Sequence, residues 1–143
     1  MPIAVKRVYE KASRADGKRV LIDRLWPRGL SKKGSKIHLW LRELAPSDGL
    51  RQWFHAHPEG WLQFRRRYLK ELMRPETNDG LEQIHQLAGD EKRVTLLFAS
   101  KDVARNNAVV LKELLEGMRK PPTGTGPGAV KAVGMRRSAR RPS

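Results

Sequence analysis

The chain has no cysteine among its 143 residues, which excludes disulfides, thiolate metal sites and thiol nucleophiles. No apolar run approaches the ~18 residues that a membrane-spanning helix needs, and Met1-Pro2-Ile3 does not open a signal peptide. The expectation is a cytoplasmic protein with no membrane association. The HExxH, P-loop, GxGxxG and GxSxG patterns are all missing, which removes the strongest enzyme signatures. Histidine is sparse, at four residues. His55 and His57 alternate and so do not share a helix face, and no carboxylate sits at ligand spacing from them. No metal site and no cofactor are expected, and His38 and His85 read as isolated surface or helix-edge residues.

Acid is scarce too: 15 Asp and Glu stand against 30 Lys and Arg, a formal net charge of +15. The imbalance is uneven, because residues 119–143 hold seven basic residues and no acid. Such a charge favours anionic partners, either a small anion or nucleic acid held non-specifically, and leaves the oligomeric state open. The segment PPTGTGPG followed by MRRSARRPS cannot bury enough apolar surface to offset its ordering entropy. Residues 119–143 therefore read as a flexible basic tail, and residues 1–118 as one domain large enough for a core.

What the chain does contain is organised around RVLIDRLWPRG, Arg19 to Gly29. Val20, Leu21 and Ile22 form a short consecutive apolar run, as expected of a strand covered on both faces. Pro27 lacks a donor and Gly29 permits unusual backbone angles, so the strand stops there. A first strand is expected around Ile3 to Tyr9, then a turn at Asp16-Gly17. VTLLFA, Val94 to Ala99, is the least ambiguous strand. The link between the first two strands is short for a helical crossover, so these residues alone leave strand direction open.

Helical spacing appears in Ile37, Trp40, Leu41 and Leu44, which predict a first helix ended by Pro46. Ser47 is a good N-cap for a second, carrying Leu50, Trp53 and Phe54. Pro58 suits the start of a third, with Trp61, Phe64, Tyr68 and Leu72 on one side and Arg65, Arg66, Arg67 and Lys70 largely on the other. Asn78 or Asp79 opens a fourth, ended by Gly89, and a last helix is expected from about Val103 to Met118.

Charged groups at the carboxyl ends of buried strands mark where an open α/β sheet builds its site. If the two apolar strands are parallel neighbours, Asp23, Arg24 and Arg28 approach Ser100, Lys101 and Asp102 at one edge. Arg24, Arg28 and Lys101 then form an anion pocket suited to phosphate or carboxylate, with Asp23 orienting them. The bland alternative is an ion pair between Asp23 and one of these cations that locks the strand end. An enzymatic alternative takes Asp23 as general base and Lys101 as a stabiliser of developing negative charge. Asn106 and Asn107, poor helix formers, either bind a ligand or hold a neighbouring backbone. The Arg65–Arg67 run with Lys70 and the tail could instead track a phosphate backbone, but its aromatics are spaced as core.

KRVYE, DGKRVLIDRLWPRG, LAPSDGLRQWF, FRRRYLKEL, VTLLFASKD and NNAVVLKELL together resemble the YeaO-like branch of the bacterial domain of unknown function 488 family. The resemblance covers residues 3–117 and not the tail. It implies a single α/β domain with a small, mainly parallel sheet packed by about five helices, and no established reaction. A more distant branch carries a Cys-His pair where this chain has Asn106 and Asn107, and close relatives have His where it has Arg105. Both departures weaken the case for a thiol or histidine acid/base step in this chain.

Overall fold

The structure, a computed structural model, describes residues 3–91 and 93–118, apart from the side chains of residues 90 and 91. The expected basic tail lies outside the described residues.

Four strands, β1 (Ile3–Arg7), β2 (Lys18–Leu21), β3 (Leu39–Trp40) and β4 (Val94–Phe98), form one sheet in the order β1-β4-β2-β3. All three pairings are parallel, so the mainly parallel sheet implied by the resemblance is in fact wholly parallel. β2 and β4 occupy the centre, and Val20, Leu21, Ile22, Leu96 and Leu97 are completely buried. Their consecutive burial reflects cover on both faces. Val20, Ile22, Leu96 and Phe98 point into the large core with the main helices, whereas Leu21 and Leu97 point to a smaller cluster under Trp26, Leu30, Ile37 and Trp40.

Five α-helices lie among the described residues: α1 (Lys32–Ser35), α2 (Asp48–Ala56), α3 (Trp61–Glu71), α4 (Asn78–Glu91) and α5 (Asn107–Glu116). Leu50 of α2, Phe64 and Tyr68 of α3, Ile84 of α4 and Leu111 and Leu115 of α5 all join the large core. Ser47 caps α2 as its sequence position suggests, accepting a hydrogen bond from the Leu50 amide at 3.2 Å. Among the described residues, no helix is long and apolar enough to cross a membrane.

The helix expected over Ile37–Leu44 is absent. Those residues form β3 and a 3-10 turn at Arg42–Leu44, because the backbone instead bonds to β2: His38 N donates to Arg19 O and Leu41 N to Leu21 O, each at 2.9 Å. Ile37 and Trp40 pack on the small cluster, whereas Leu41 and Leu44 enter the large one. One apolar set divided between two faces of a sheet edge imitates a helical stripe. The third helix begins at Trp61 after a turn closed by Gly60 N donating to His57 O at 2.8 Å, later than Pro58 suggests. Asn78 is the first residue of α4, following a 3-10 turn at Pro75–Thr77, and α4 runs past Gly89 to Glu91. α5 starts four residues later than about Val103, for a reason its asparagines supply below.

β2 ends at Leu21, well before the Pro27-Gly29 turn expected to stop it, and the turn forms further along the loop. Leu30 N donates to Pro27 O at 3.4 Å around Gly29, whose φ of +82° is the positive value a type II turn needs at that position. The Trp26 indole donates to Leu30 O at 2.6 Å and packs edge-on against Trp40, closing the small cluster.

Candidate functional site

Because β1, β4 and β2 are parallel neighbours, their carboxyl ends open on one edge, as open α/β sheets require of a site. Asp23 stands at the centre of that edge. Its Oδ2 accepts from Ala99 N at 2.9 Å and its Oδ1 from the Asn107 amide at 3.0 Å, while its carbonyl accepts from the Trp40 indole at 2.7 Å. The same Asn107 amide donates to Ile22 O at 3.1 Å. Asp23 thus ties the ends of β2 and β4 to the start of α5. It forms no ion pair with Arg24, Arg28, Lys101 or any other described residue.

Burial pushes the Asp23 carboxyl above its ordinary 3.8, against the hydrogen bonds from Asn107 and Ala99 and a weaker pull from Arg51. A raised carboxylate contributes stability that is full below 3.8 and declines as pH rises through its folded value. Asp23→Ala should therefore destabilise by about 1–3 kcal/mol, through the orphaned Ala99 and Asn107 donors. The loss in urea melts should be larger in acid than at neutral pH; a loss that grows with pH would contradict this account.

Asn106 explains the late start of α5. Its Oδ1 accepts from Val109 N at 3.0 Å as the N-cap, and its amide donates to Asp102 O at 2.9 Å. Asparagine is a poor residue inside a helix and a strong one at its cap, so the helix begins after it. Both amides expected near a ligand are buried and engaged with protein atoms. Arg28 and Lys101 are exposed, and the Arg28 carbonyl accepts from the Tyr9 hydroxyl at 3.0 Å.

Arg24 turns away from the edge's centre. Its Nε donates to Pro46 O at 3.3 Å, and it lines a cavity of about 200 Å³ with Glu43, Glu71, Arg74, Glu76 and Thr77. An adjoining cavity of about 550 Å³ is lined by Ser47, Gly49, Leu50, Arg67, Lys70, Glu71 and Arg74. The two share Ser47, Glu71 and Arg74, so together they make a groove between the start of α2 and the end of α3. Arg67, Lys70 and Glu71 follow i, i+3 and i+4 spacing on one face of α3, and Arg74 lies just past the helix end, in extended backbone.

The Glu71 carboxylate accepts from Ser47 N at 2.8 Å and Ser47 Oγ at 2.5 Å, fixing the two helices together. Arg67 lies over the Trp53 ring at 4.5 Å, with His57 stacked on the same indole. Arg24, Lys70 and Arg74 form no ion pair with any described residue. Tyr68, buried beneath, donates to Leu44 O at 2.5 Å; burial and the fields of Asp23 and Glu71 push its phenol well above its ordinary value.

The sequence places Arg24 with Arg28 and Lys101 in a strand-end pocket, whereas its side chain lies in this groove, and it reads Arg67 and Lys70 as a solvated face. It did not single out Glu71 or Arg74 as site residues. The helical spacing of Arg67, Lys70 and Glu71 is visible in the sequence, but it acquires meaning only once Ser47 packs opposite, and Arg74 joins them from beyond the helix end.

Fold and groove define a class: a small α/β domain with a wholly parallel sheet and a charged groove beyond the carboxyl ends of its strands. Within that class, the chain belongs to the family described as the Inactive DUF488-N3 subclade, whose model matches residues 2–125. It is 40% identical over 115 residues to the uncharacterized protein Rv3073c of Mycobacterium tuberculosis H37Rv, covering 80% of this chain and 94% of that one. It is 38% identical over 120 residues to the uncharacterized protein YeaO of Escherichia coli K12, covering 82% of this chain and 100% of YeaO. No solved structure matches the chain.

Proposed function

We propose that this domain binds an anionic, phosphorylated or nucleotide-like small molecule in the groove between α2 and α3, with Arg24, Lys70 and Arg74 as its principal contacts. The observation that carries this reading is the convergence of these three cations, none ion-paired with a described residue, on adjoining cavities of about 550 and 200 Å³. The larger volume falls within the ~300–1,000 Å³ usual for small-molecule sites. Guanidinium forks suit phosphate oxygens, and the ammonium adds a mobile point charge. Arg67, over Trp53, adds a fourth cation to a lining that also holds Glu43, Glu71 and Glu76.

Catalysis through Asp23 and Lys101 has less support. Both Asp23 oxygens are engaged, Lys101 is exposed, and neither residue lines the groove. The description of the family as an inactive subclade favours binding over chemistry. Non-specific nucleic-acid binding along α3 is also less favoured, because Arg65 pairs with Glu113 at 3.1 Å and Arg67 covers Trp53.

A thermal melt with a panel of nucleotides and sugar phosphates tests the reading. At least one member should raise the wild-type midpoint by several degrees, since saturation at 100 times Kd stabilises by about 2.7 kcal/mol. The Lys70→Ala/Arg74→Ala variant should lose that shift, and Arg28→Ala should keep it. A shift abolished by Arg28→Ala and retained by the groove variant would move the site to the exposed edge.

A further inference from the structure

The groove leaves the rest of the carboxyl edge unassigned, and that edge carries three of the large apolar side chains that the described surface exposes. Tyr9 is 42% exposed, Leu25 61% and Val103 62%. They stand on the loops that leave β1, β2 and β4, which are neighbours in the sheet. Two sets of bonds draw these loops together. The Tyr9 hydroxyl donates to Arg28 O at 3.0 Å, joining the first loop to the second. The Arg7 guanidinium donates to Ser100 O at 2.9 Å and Ala99 O at 3.2 Å, joining the first to the third.

The same loops carry exposed Arg28, Lys101 and Arg105. The nearby acids are engaged locally: Asp102 accepts from the amides of Ala104 and Arg105, and Glu10 from that of Arg7. The edge therefore sets exposed apolar side chains among exposed cations, Arg28, Lys101 and Arg105, that outnumber the exposed carboxylates of Asp102 and Glu10. Exposed apolar clusters rimmed by charge mark interaction surfaces, and the sign of the rim selects the partner.

We infer that the carboxyl edge of the sheet is a docking surface for an acidic protein segment that carries apolar side chains. Leu25 and Val103 receive the apolar groups, and Arg28, Lys101 and Arg105 receive the carboxylates. A nucleic acid fits less well, because a base-stacking platform needs free aromatic faces. Here the single exposed ring, Tyr9, has Arg7 over it at 5.2 Å and its hydroxyl engaged. The inference does not depend on the groove, whose lining residues are different.

The test uses the full chain and three labelled probes: a random copolymer of glutamate and tyrosine, poly-glutamate of equal charge, and a single-stranded oligodeoxythymidylate. The basic chain should attract all three at low salt, so the informative quantity is the advantage of the copolymer. The copolymer should bind about tenfold more tightly than poly-glutamate, the equivalent of about 1.4 kcal/mol. Leu25→Ser/Val103→Ser should abolish that advantage while leaving poly-glutamate binding and the melting midpoint unchanged, because both side chains are exposed. Arg28→Ala/Lys101→Ala should weaken the copolymer and poly-glutamate alike. Equal binding of the two acidic polymers, or an advantage that survives the serine substitutions, would overturn the inference. So would preferential binding of the oligodeoxythymidylate that is lost with Arg28 and Lys101, which would make the edge a nucleic-acid surface.

Discussion

Asp16→Ala should cost about 3–5 kcal/mol of folding free energy, the range for a buried ion pair broken from one side. Asp16 and Arg19 are 6% and 2% exposed, and their Oδ2 and NH1 atoms are 2.6 Å apart. Lys6 adds a second cation to the same carboxylate at 3.0 Å. The remaining guanidinium contact, to Ser35 O at 3.1 Å, cannot neutralise Arg19 once the acid is gone. Burial alone would raise the Asp16 carboxyl, but the hydrogen bonds from Ser13 N, Lys6 and Arg19 outweigh it and hold the group below its ordinary 3.8. A lowered carboxylate stabilises fully above the unfolded value and loses that contribution as pH falls through the folded one. The gap between wild type and variant in urea melts should therefore be widest at neutral pH and narrow below pH 3.8. A gap that stays constant into acid would show that the pair is not the source of the loss.

Gly17→Ala should be about as damaging. Gly17 adopts φ +66°, where an L side chain is strained by about 1–3 kcal/mol. An added Cβ would also stand 2.2 Å from the Arg93 carbonyl oxygen, and that contact is with backbone. Relief requires moving the carbonyl that accepts from Lys18 N at 3.2 Å, where β2 meets β4. Overpacking of this kind adds about 1–3 kcal/mol, for a sum of about 2–6 kcal/mol. Gly49→Ala is the control, since nothing lies within 4 Å of a Cβ built there. It should melt close to wild type; equal midpoints for the two variants would remove the steric argument.

Both sites lie at the amino end of the sheet, where the polar residues serve structure. Asp16-Gly17 is legible in the sequence as a turn, but a turn signal carries no information about Lys6, Arg19 and Thr95, which arrive from other elements. Thr95 Oγ1 donates to Asp16 O at 2.6 Å from the middle of a strand whose sequence reads as purely a core run. The carboxyl end was easier to locate. An apolar run broken by Asp23-Arg24 shows where β2 stops, and VTLLFA shows a second buried strand, so the edge follows once the two are parallel neighbours. What the Asp23 carboxylate does there is not legible, because both its partners come from the chain more than 70 residues away.

The strand at Leu39–Trp40 in place of a helix has a related cause. Hydrophobic spacing reports which residues are buried, but not whether they are buried on one face or divided between two. The same limit leaves the groove only half visible. Arg24 sits beside an obvious strand end, whereas Lys70 and Arg74 look like solvent-facing charge until α2 and α3 are placed side by side, with Glu71 bound to Ser47.

If this groove, and not the exposed edge, holds the small anion, its amides should respond when the ligand binds. Amide chemical-shift mapping of the labelled full chain, titrated with the phosphorylated compound that gives the largest melting shift, should show saturable shifts at Ser47, Gly49, Leu50, Lys70, Glu71 and Arg74, with Arg28 and Lys101 little changed. Shifts centred on Arg28, Lys101 and Asn107, with the groove amides unmoved, would place the anion at the edge instead.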